Sequence, residues 1–511
     1  MSSVRKRLAP AVAIAACAGL VLTSTPAAAV SPSAPSGPAL AKKLVKKVDA
    51  RKINRHLIAL QRISDSSGGN RAAGNAGHAR SAEYVAGKLE AAGYDVTRQE
   101  FPFTYTETLA ESLTAGGTDV PIIIMSYSPS TPEDGITAPL AVIEPDATPG
   151  CEVGDYGDVT GEIALIQRGA CSFAQKQAAA ADAGAVGAVI YNNVDGDLNG
   201  TLGDPDGARI PTGGISKAAG ESLTGQDGTS VTLELRALQE ERTTYNVIAE
   251  TKTGRKDNVV MAGAHLDSVT HGAGINDNGT GSGGLLETAL QLGGSPKVNN
   301  AVRFAWWSAE EFGLVGSNYY VDQLTFEQQL DISMYLNFDM IGSPNAAFFV
   351  YDGDDSDGEG AGAGPYGSAQ IENAFVEYLE GNGTPTEGTD FSGRSDYGRF
   401  ISVGIPAGGL FTGAEGIKTE AQAAKWGGRA DVAYDPCYHQ ECDNLGNVDR
   451  TALDRNADAL AWVTARYAIS TEEVNGVSPF EAKSKKATAQ QRAAQRAFTA
   501  QTAGDPHAEL R

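Results

Sequence analysis

Two rhythms of apolar and polar positions divide this chain. From about residue 244, apolar runs alternate with polar loops and helical patterns. NVVMAGAHLDSV reads as a strand that delivers the triplet His265–Leu266–Asp267. A Gly-rich loop holding Asp277 leads into GGLLETALQL, which has helical spacing, and AVRFAWWSA is a second strand ending on Glu310 and Glu311. ISMYLNFDMIGS carries a third strand to Asp339, and GIPAGGLFTG a fourth. SAQIENAFVEYLEGNG and TALDRNADALAWVTARYAI are helical, as are INRHLIALQRISD and HARSAEYVAGKLEAAG upstream. Strand, polar tip and helix in repetition predict an α/β fold with a mixed, mostly parallel central sheet flanked by helices. Sites in such folds lie at the carboxyl ends of the strands.

Residues 107–243 follow the second rhythm. Short β-like runs (VPIIIMSYS, APLAVIE, GEIALIQRG, AVGAVIYNN, SVTLELRAL) sit between Gly, Pro and Asp clusters, with one helical stretch, SFAQKQAAAADAGA. We read a β-rich unit inserted between two parts of the α/β domain, residues 46–106 and 244–471. Residues 30–45, Pro/Ser/Ala-rich and then basic, read as a linker or pro-segment, and residues 472–511 as a polar tail. Residues 1–29 have the charged start, short apolar middle and Ala27-Ala28-Ala29 end of a secretion signal, cleaved after about Ala29. Ile14-Ala15-Ala16-Cys17 also resembles a lipoprotein box, but Cys17 lies in the middle of the apolar run, which favours export over lipidation.

A formal charge of -23 excludes a nucleic-acid partner, since nothing would neutralise phosphates. The apolar run near the start is too short for a comfortable membrane span, so no stable membrane association is expected. Without Cys17, four cysteines remain, and in an exported chain they suggest disulfides. Three pairings exist; Cys437–Cys442 with Cys151–Cys171 is the most economical.

The candidate chemistry lies at the predicted strand tips. Of six histidines, His265 and His439 stand among carboxylates and aromatics. With Asp277, Glu311 and Asp339 they would give two metals one imidazole each, a bridging carboxylate and two terminal ones. In an extended segment Glu310 and Glu311 point to opposite sides, so one can bind metal while the other acts as general base. Asp267 would hold the His265 imidazole. Each signal has a plain alternative: a satisfied strand-end histidine, an Asn/Gly turn, a helix cap at Asp339, two solvated glutamates. Their order along the chain favours the metal site.

AGAHLDSV, GINDNGTGSGG, WWSAEEFGLVGS, LNFDMIGS, GRSDYGRF, GGLFTGA and CYHQECDN resemble the secreted bacterial M28 aminopeptidases, the Streptomyces-type leucine-preferring enzymes above all. The resemblance spans roughly 46–106 and 244–470 and implies a zinc-exopeptidase fold with two zinc ions. It implies His265, Asp277, Glu311, Asp339 and His439 as ligands, with Asp277 bridging and His265 and Glu311 on one ion or shared between the pair. It also implies Glu310 as base, Tyr438 as the oxyanion-stabilising hydroxyl and Arg394 as a substrate-positioning residue. Glu310 and Asp339 would help hold the substrate's α-amine. Met340, Gly393 and Phe411 would form the pocket for a Leu-like first residue. Asp454 and Asp458 match part of a structural calcium site, with Lys47 where its acidic partner is expected. The inserted unit resembles the protease-associated (PA) domain through Arg168, Gly169, Cys171 and Phe173. The resemblance thus implies an aminopeptidase acting on peptides with free N-termini; a monomer is expected, though the sequence itself does not give the oligomeric state. A metallocarboxypeptidase and a zinc-free, receptor-like binding protein are the alternatives on the same core.

Overall fold

The computed structural model describes residues 37–203, 207–358, 360, 362–479 and 489. The signal of residues 1–29 therefore lies outside the described residues, as do the start of the linker and nearly all of the tail beyond 479. Among the described residues fourteen strands follow in chain order: β1 (Asp95–Ala115), β2 (Thr118–Val120), β3 (Ile123–Ile124), β4 (Ile136–Val142), β5 (Ile163–Gln167), β6 (Gly187–Tyr191) and β7 (Thr212–Ile215). They continue as β8 (Ser230–Glu250), β9 (Arg255–His265), β10 (Asn300–Trp307), β11 (Ile332–Phe338), β12 (Phe349–Tyr351), β13 (Glu387–Thr389) and β14 (Ala407–Phe411).

The central sheet runs β1-β8-β10-β9-β11-β14-β12-β13. Its middle four strands, β10, β9, β11 and β14, are parallel. Alternation within them explains their unbroken apolar sequence. Val302, Phe304 and Trp306 of β10 join one core with Leu57, Leu285 and Leu460 of the helices Ala50–Asp65, Gly281–Leu292 and Arg450–Ile469. Ala305 and Trp307 point into the opposite core with Tyr320, Tyr335 and Phe400. A strand buried on both faces has no room for polar side chains until its tip. The register pairs Trp307 with His265 and Phe338 with Leu410, so the parallel strands end level.

In the β-rich unit β4, β5, β6 and β7 are parallel neighbours, with β3 antiparallel on β7. The Cys151–Cys171 disulfide is formed there. β1 and β8 form one long antiparallel ribbon, Asp95 opposite Glu250 and Ala115 opposite Val231. Positions 107 and 243 both fall inside it. The polar stretch QEERTT reads as a break in the sequence, but here the apolar alternation is carried by the partner strand, whose buried Phe101, Phe103 and Tyr105 lie opposite Thr244, Arg242 and Glu240.

Two segments depart from the sequence reading. Residues 37–45 are a helix (Gly37–Val45), not a linker: its Ala41 and Leu44 are buried, and Gly37 lies against Arg466 and Ile469 of the long C-terminal helix. The Pro/Ser/Lys composition hid a short amphipathic pattern whose lysines face outward. The tail also begins later than residue 472, because Val474 and Val477 are buried.

Candidate active site

Three strand tips, one irregular turn and one disulfide-closed loop bring the candidate residues together. His265 is the last residue of β9, Glu310 and Glu311 follow β10, and Asp339 follows β11. Asp277 sits in the irregular turn Ile275–Thr280 that opens the helix Gly281–Leu292. His439 occupies a left-handed conformation (φ 57) inside the Cys437–Cys442 loop, whose disulfide is formed.

The side chains form two triads that share Asp277. His265 Nε2 is 3.2 Å from Asp277 Oδ1 and 3.2 Å from Asp339 Oδ1. His439 Nε2 is 3.3 Å from Asp277 Oδ2 and 3.1 Å from Glu311 Oε2. Each triad gathers its ligand-type atoms within 4.8 Å of one another. His265 thus groups with Asp277 and Asp339, and also with Glu310 and Glu311 at the tip of the adjacent β10, while His439 groups with Asp277 and Glu311. Glu310 joins His265 and Glu311 in a third such group, its Oε2 3.9 Å from His265 Nε2.

Charge is crowded here. Burial, then Glu311 and Asp339, push Glu310 well above the usual carboxylate range, against the pull of His265. Burial would depress His439, but Glu311 and Asp277 push it up to about 11. His265 likewise rises despite burial, because Asp339 and Glu310 favour its charged form. Asp277 stays low in spite of burial, since both imidazoles hydrogen-bond to it. A buried group of carboxylates requires positive charge among them. Glu311 Oε1 is buried with no hydrogen-bond partner. Two imidazoles and three carboxylates, arranged as two triads around a shared Asp277, are a donor set that fits divalent cations such as zinc.

Asp267 lies beside the His265 imidazole, its Oδ1 3.7 Å from His265 Nδ1, in ion-pair contact but beyond hydrogen-bond distance. Its carboxylate also accepts the backbone N–H groups of Glu310 and Glu311, both at 3.3 Å. The triplet leaves the sheet with Asp267 turned toward the adjacent β10 tip, so this buried side chain fixes the glutamate pair.

A cavity of about 90 Å³ opens beside the triads. Glu310, Asp339, Met340, Phe411, Arg394 and Tyr438 all line it. Gly393 does not; its amide donates to the hydroxyl of Tyr397, which does. Arg394 donates to Glu415 at 2.7 Å and to the Tyr438 hydroxyl at 3.2 Å, and Tyr438 stacks on the His439 ring at 3.8 Å.

Sequence reasoning missed the residues that hold this set. Ser395 donates to Asp339 Oδ2 at 2.6 Å and accepts from Asn337 at 2.8 Å; Asn337 in turn accepts from Tyr335, which accepts from Trp307. Asp443 accepts the amides of Asn276 and Asp277 at 2.8 and 2.9 Å. Both residues lie in quoted motifs, GRSDYGRF and CYHQECDN, but a hydroxyl or carboxylate there has no distinctive spacing. Asp454 and Asp458 lie near Asp49, which caps the helix Ala50–Asp65, and Asp454 accepts the amide of Ala50 at 2.8 Å. The acidic neighbour near the start is thus Asp49, where the sequence comparison pointed to Lys47.

A model of peptidase family M28 matches residues 246–464, and a model of the PA domain matches residues 136–223. The probable lipoprotein aminopeptidase LpqL of Mycobacterium tuberculosis is 46% identical over 451 residues, covering 86% of this chain and 90% of its own. Leucine aminopeptidase 2 of Trichophyton tonsurans is 47% identical over 433 residues, with 84% and 86% covered. Among solved structures, the aminopeptidase from Aneurinibacillus sp. strain AM-1 superposes with a TM-score of 0.65 at 28% identity, covering 83% of this chain and 95% of its own. BSAP, a zinc aminopeptidase from Bacillus subtilis, superposes at 0.59 and 27% identity, with 81% and 94% covered. Sheet, PA domain and sequence agree with these relatives along most of the chain, which belongs to peptidase family M28 as a zinc aminopeptidase.

Proposed function

We propose that this enzyme is an exported di-zinc aminopeptidase that removes Leu-like residues from peptide N-termini. The observation that carries this reading is the pair of triads sharing Asp277. His265 and Asp339 would hold one ion, His439 and Glu311 the other, and Asp277 both. When bound, the ions supply Lewis acidity and water activation.

The chain's own groups would do the rest. Glu310 lines the cavity whereas Glu311 does not, so one carboxylate of the pair is free to take a proton from the attacking water and pass it to the leaving amine. Tyr438, held by Arg394, would donate to the oxyanion. Asp339 and Glu310 border the place for a substrate ammonium. Met340 and Phe411 supply apolar wall for the first side chain, and the relatives named leucine aminopeptidases support that preference. Beyond the residues proposed to hold the ions, the cavity lining holds two acidic side chains, Glu310 and Asp390, and one arginine, Arg394, which donates to Glu415; this suits an amine better than the C-terminal carboxylate of a carboxypeptidase substrate. The calcium reading has less behind it: Asp454 already accepts a helix amide, and no three-carboxylate group gathers there among the described residues.

Leucine p-nitroanilide beside its N-acetylated form, before and after chelation and zinc return, tests the proposal. Cleavage of the free amine only, lost with chelator and restored by two zinc ions per chain, is expected; equal cleavage of both would refute amine recognition. Mass analysis of the mature N-terminus tests export: a start near Val30 is expected, and a lipid on Cys17 would overturn it. No described helix is long and apolar enough to cross a membrane.

A further inference from the structure

We propose that Arg71 is a positioning residue for the metal-binding side chains, acting as a clamp on the loop between His265 and Asp277. It rests on the reading of those two residues as ligands. Arg71 lies in the GGNRAAG turn between the helices Ala50–Asp65 and Ala76–Ala91, nearly two hundred residues before the loop it grips.

Arginine is rarely buried without a carboxylate partner, yet Arg71 is 0% exposed and all three guanidinium nitrogens donate to backbone carbonyls. Nε donates to Ala273 O at 2.7 Å, one terminal nitrogen to Leu266 O and the other to Gly274 O at 2.5 Å. Leu266 directly follows His265, and Gly274 stands three residues before Asp277. One rigid fork thus ties both ends of the loop. The Arg71 amide donates to Ser268 Oγ at 2.9 Å, and the Ser268 amide returns a bond to Arg71 O at 3.3 Å. Gly274 O also accepts from Gly279 N at 3.0 Å, which carries the grip across the Asp277 turn.

The packing leaves no slack. Gly274 has φ 59, and a Cβ there would stand 3.1 Å from the guanidinium, 2.5 Å from Ser268 Cβ and 2.3 Å from Asp277 O. Burial pulls the Arg71 guanidinium down to about 10, and the carboxylates that act against this are Asp267, Asp443, Asp277 and Glu311. Two of these are candidate ligands, and the other two hold the backbone of candidate ligands. Arg71 does not line the cavity, so it stands near these carboxylates without occupying a ligand position. Geometry is the larger part, since a planar fork reaches three separated carbonyls and an ammonium cannot.

The test is zinc affinity of Arg71→Lys and Arg71→Met, read by competition with a chromogenic chelator, beside the unfolding midpoint of each zinc-free protein. Both variants should bind zinc roughly 10–100-fold more weakly than the parent, the range for residues that orient ligands. Lysine should fail to rescue because it keeps charge without the fork. If Arg71→Met does not fold, Arg71→Lys decides. Zinc affinity of Arg71→Lys within twofold of the parent overturns the clamp, even if its zinc-free midpoint falls. A parent that binds no zinc would refute the ligand reading itself.

Discussion

Replacing Cys437 and Cys442 together by serine isolates the contribution of a small covalent loop to the active site. The bond closes a loop with a sequence separation of 5, and that loop carries both Tyr438 and His439. Chain-entropy reasoning for so short a loop gives about 2 kcal/mol of ordering that the loop must otherwise supply itself. Some order survives through hydrogen bonds from Cys437 N to Asp435 and from Gln440 N to Cys437 O, at 2.8 and 3.0 Å. If the full amount is charged to placing His439 between Asp277 and Glu311, zinc on that side should be held roughly thirtyfold more weakly. The double variant is needed because a single one leaves a thiol able to bind zinc in its own right. Chelator competition reads the affinity, and steady-state hydrolysis at saturating zinc reads the effect on Tyr438. Zinc affinity and kcat/KM both within twofold of the parent would show that the loop is ordered without its bond, and the reasoning would fail.

Glu310→Ala should keep zinc content and lose turnover by roughly 10²–10⁴-fold, the usual share of a general base; normal turnover would sink that assignment. Asp277→Ala removes the group common to both triads, so metal analysis should find both ions depleted, and full occupancy would rule out sharing. Ser395→Ala leaves Asn337 and Asp339 each short of a buried partner and should cost about 2–4 kcal/mol. Denaturant unfolding of the zinc-free protein checks this, and a loss below about 1 kcal/mol would mean the relay is slack. Burial, then Asp454 and Asp49, raise Asp458 to about 7. Native protein therefore holds a proton there that unfolded chain releases, and this contribution to stability is present below about pH 4 and fades as pH rises through about 7. Asp458→Asn should raise the unfolding midpoint at pH 8 and leave it unchanged at pH 4; equal midpoints at pH 8 would refute the crowding, and a rise of the parent's midpoint with calcium would support a calcium site.

The parallel strands were legible because they are buried on both faces, which forces an apolar run that breaks only at the tip. That break is where His265, the Glu310–Glu311 pair and Asp339 stand, so one pattern marks both fold and site. The Gly37–Val45 helix was not legible, since nine residues with two lysines in the last turn carry too short a period to separate from a linker. The β1–β8 ribbon was cut at the polar stretch of β8 because the buried side chains there, Phe101, Phe103 and Tyr105, belong to its distant partner strand β1.

Sequence alone therefore determined which residue types reach the strand ends, and its resemblance to a family gave them roles. Tertiary structure decided the grouping. His265 stands between the tips of two neighbouring strands, close to Asp339 and Glu310, Asp267 reaches from beside the imidazole to the glutamate amides, and Ser395, Asp443 and Arg71 take up support from distant segments. Such partners leave no periodic signal, because a hydrogen bond between residues far apart in the chain depends only on where the folded backbone places its donor and acceptor.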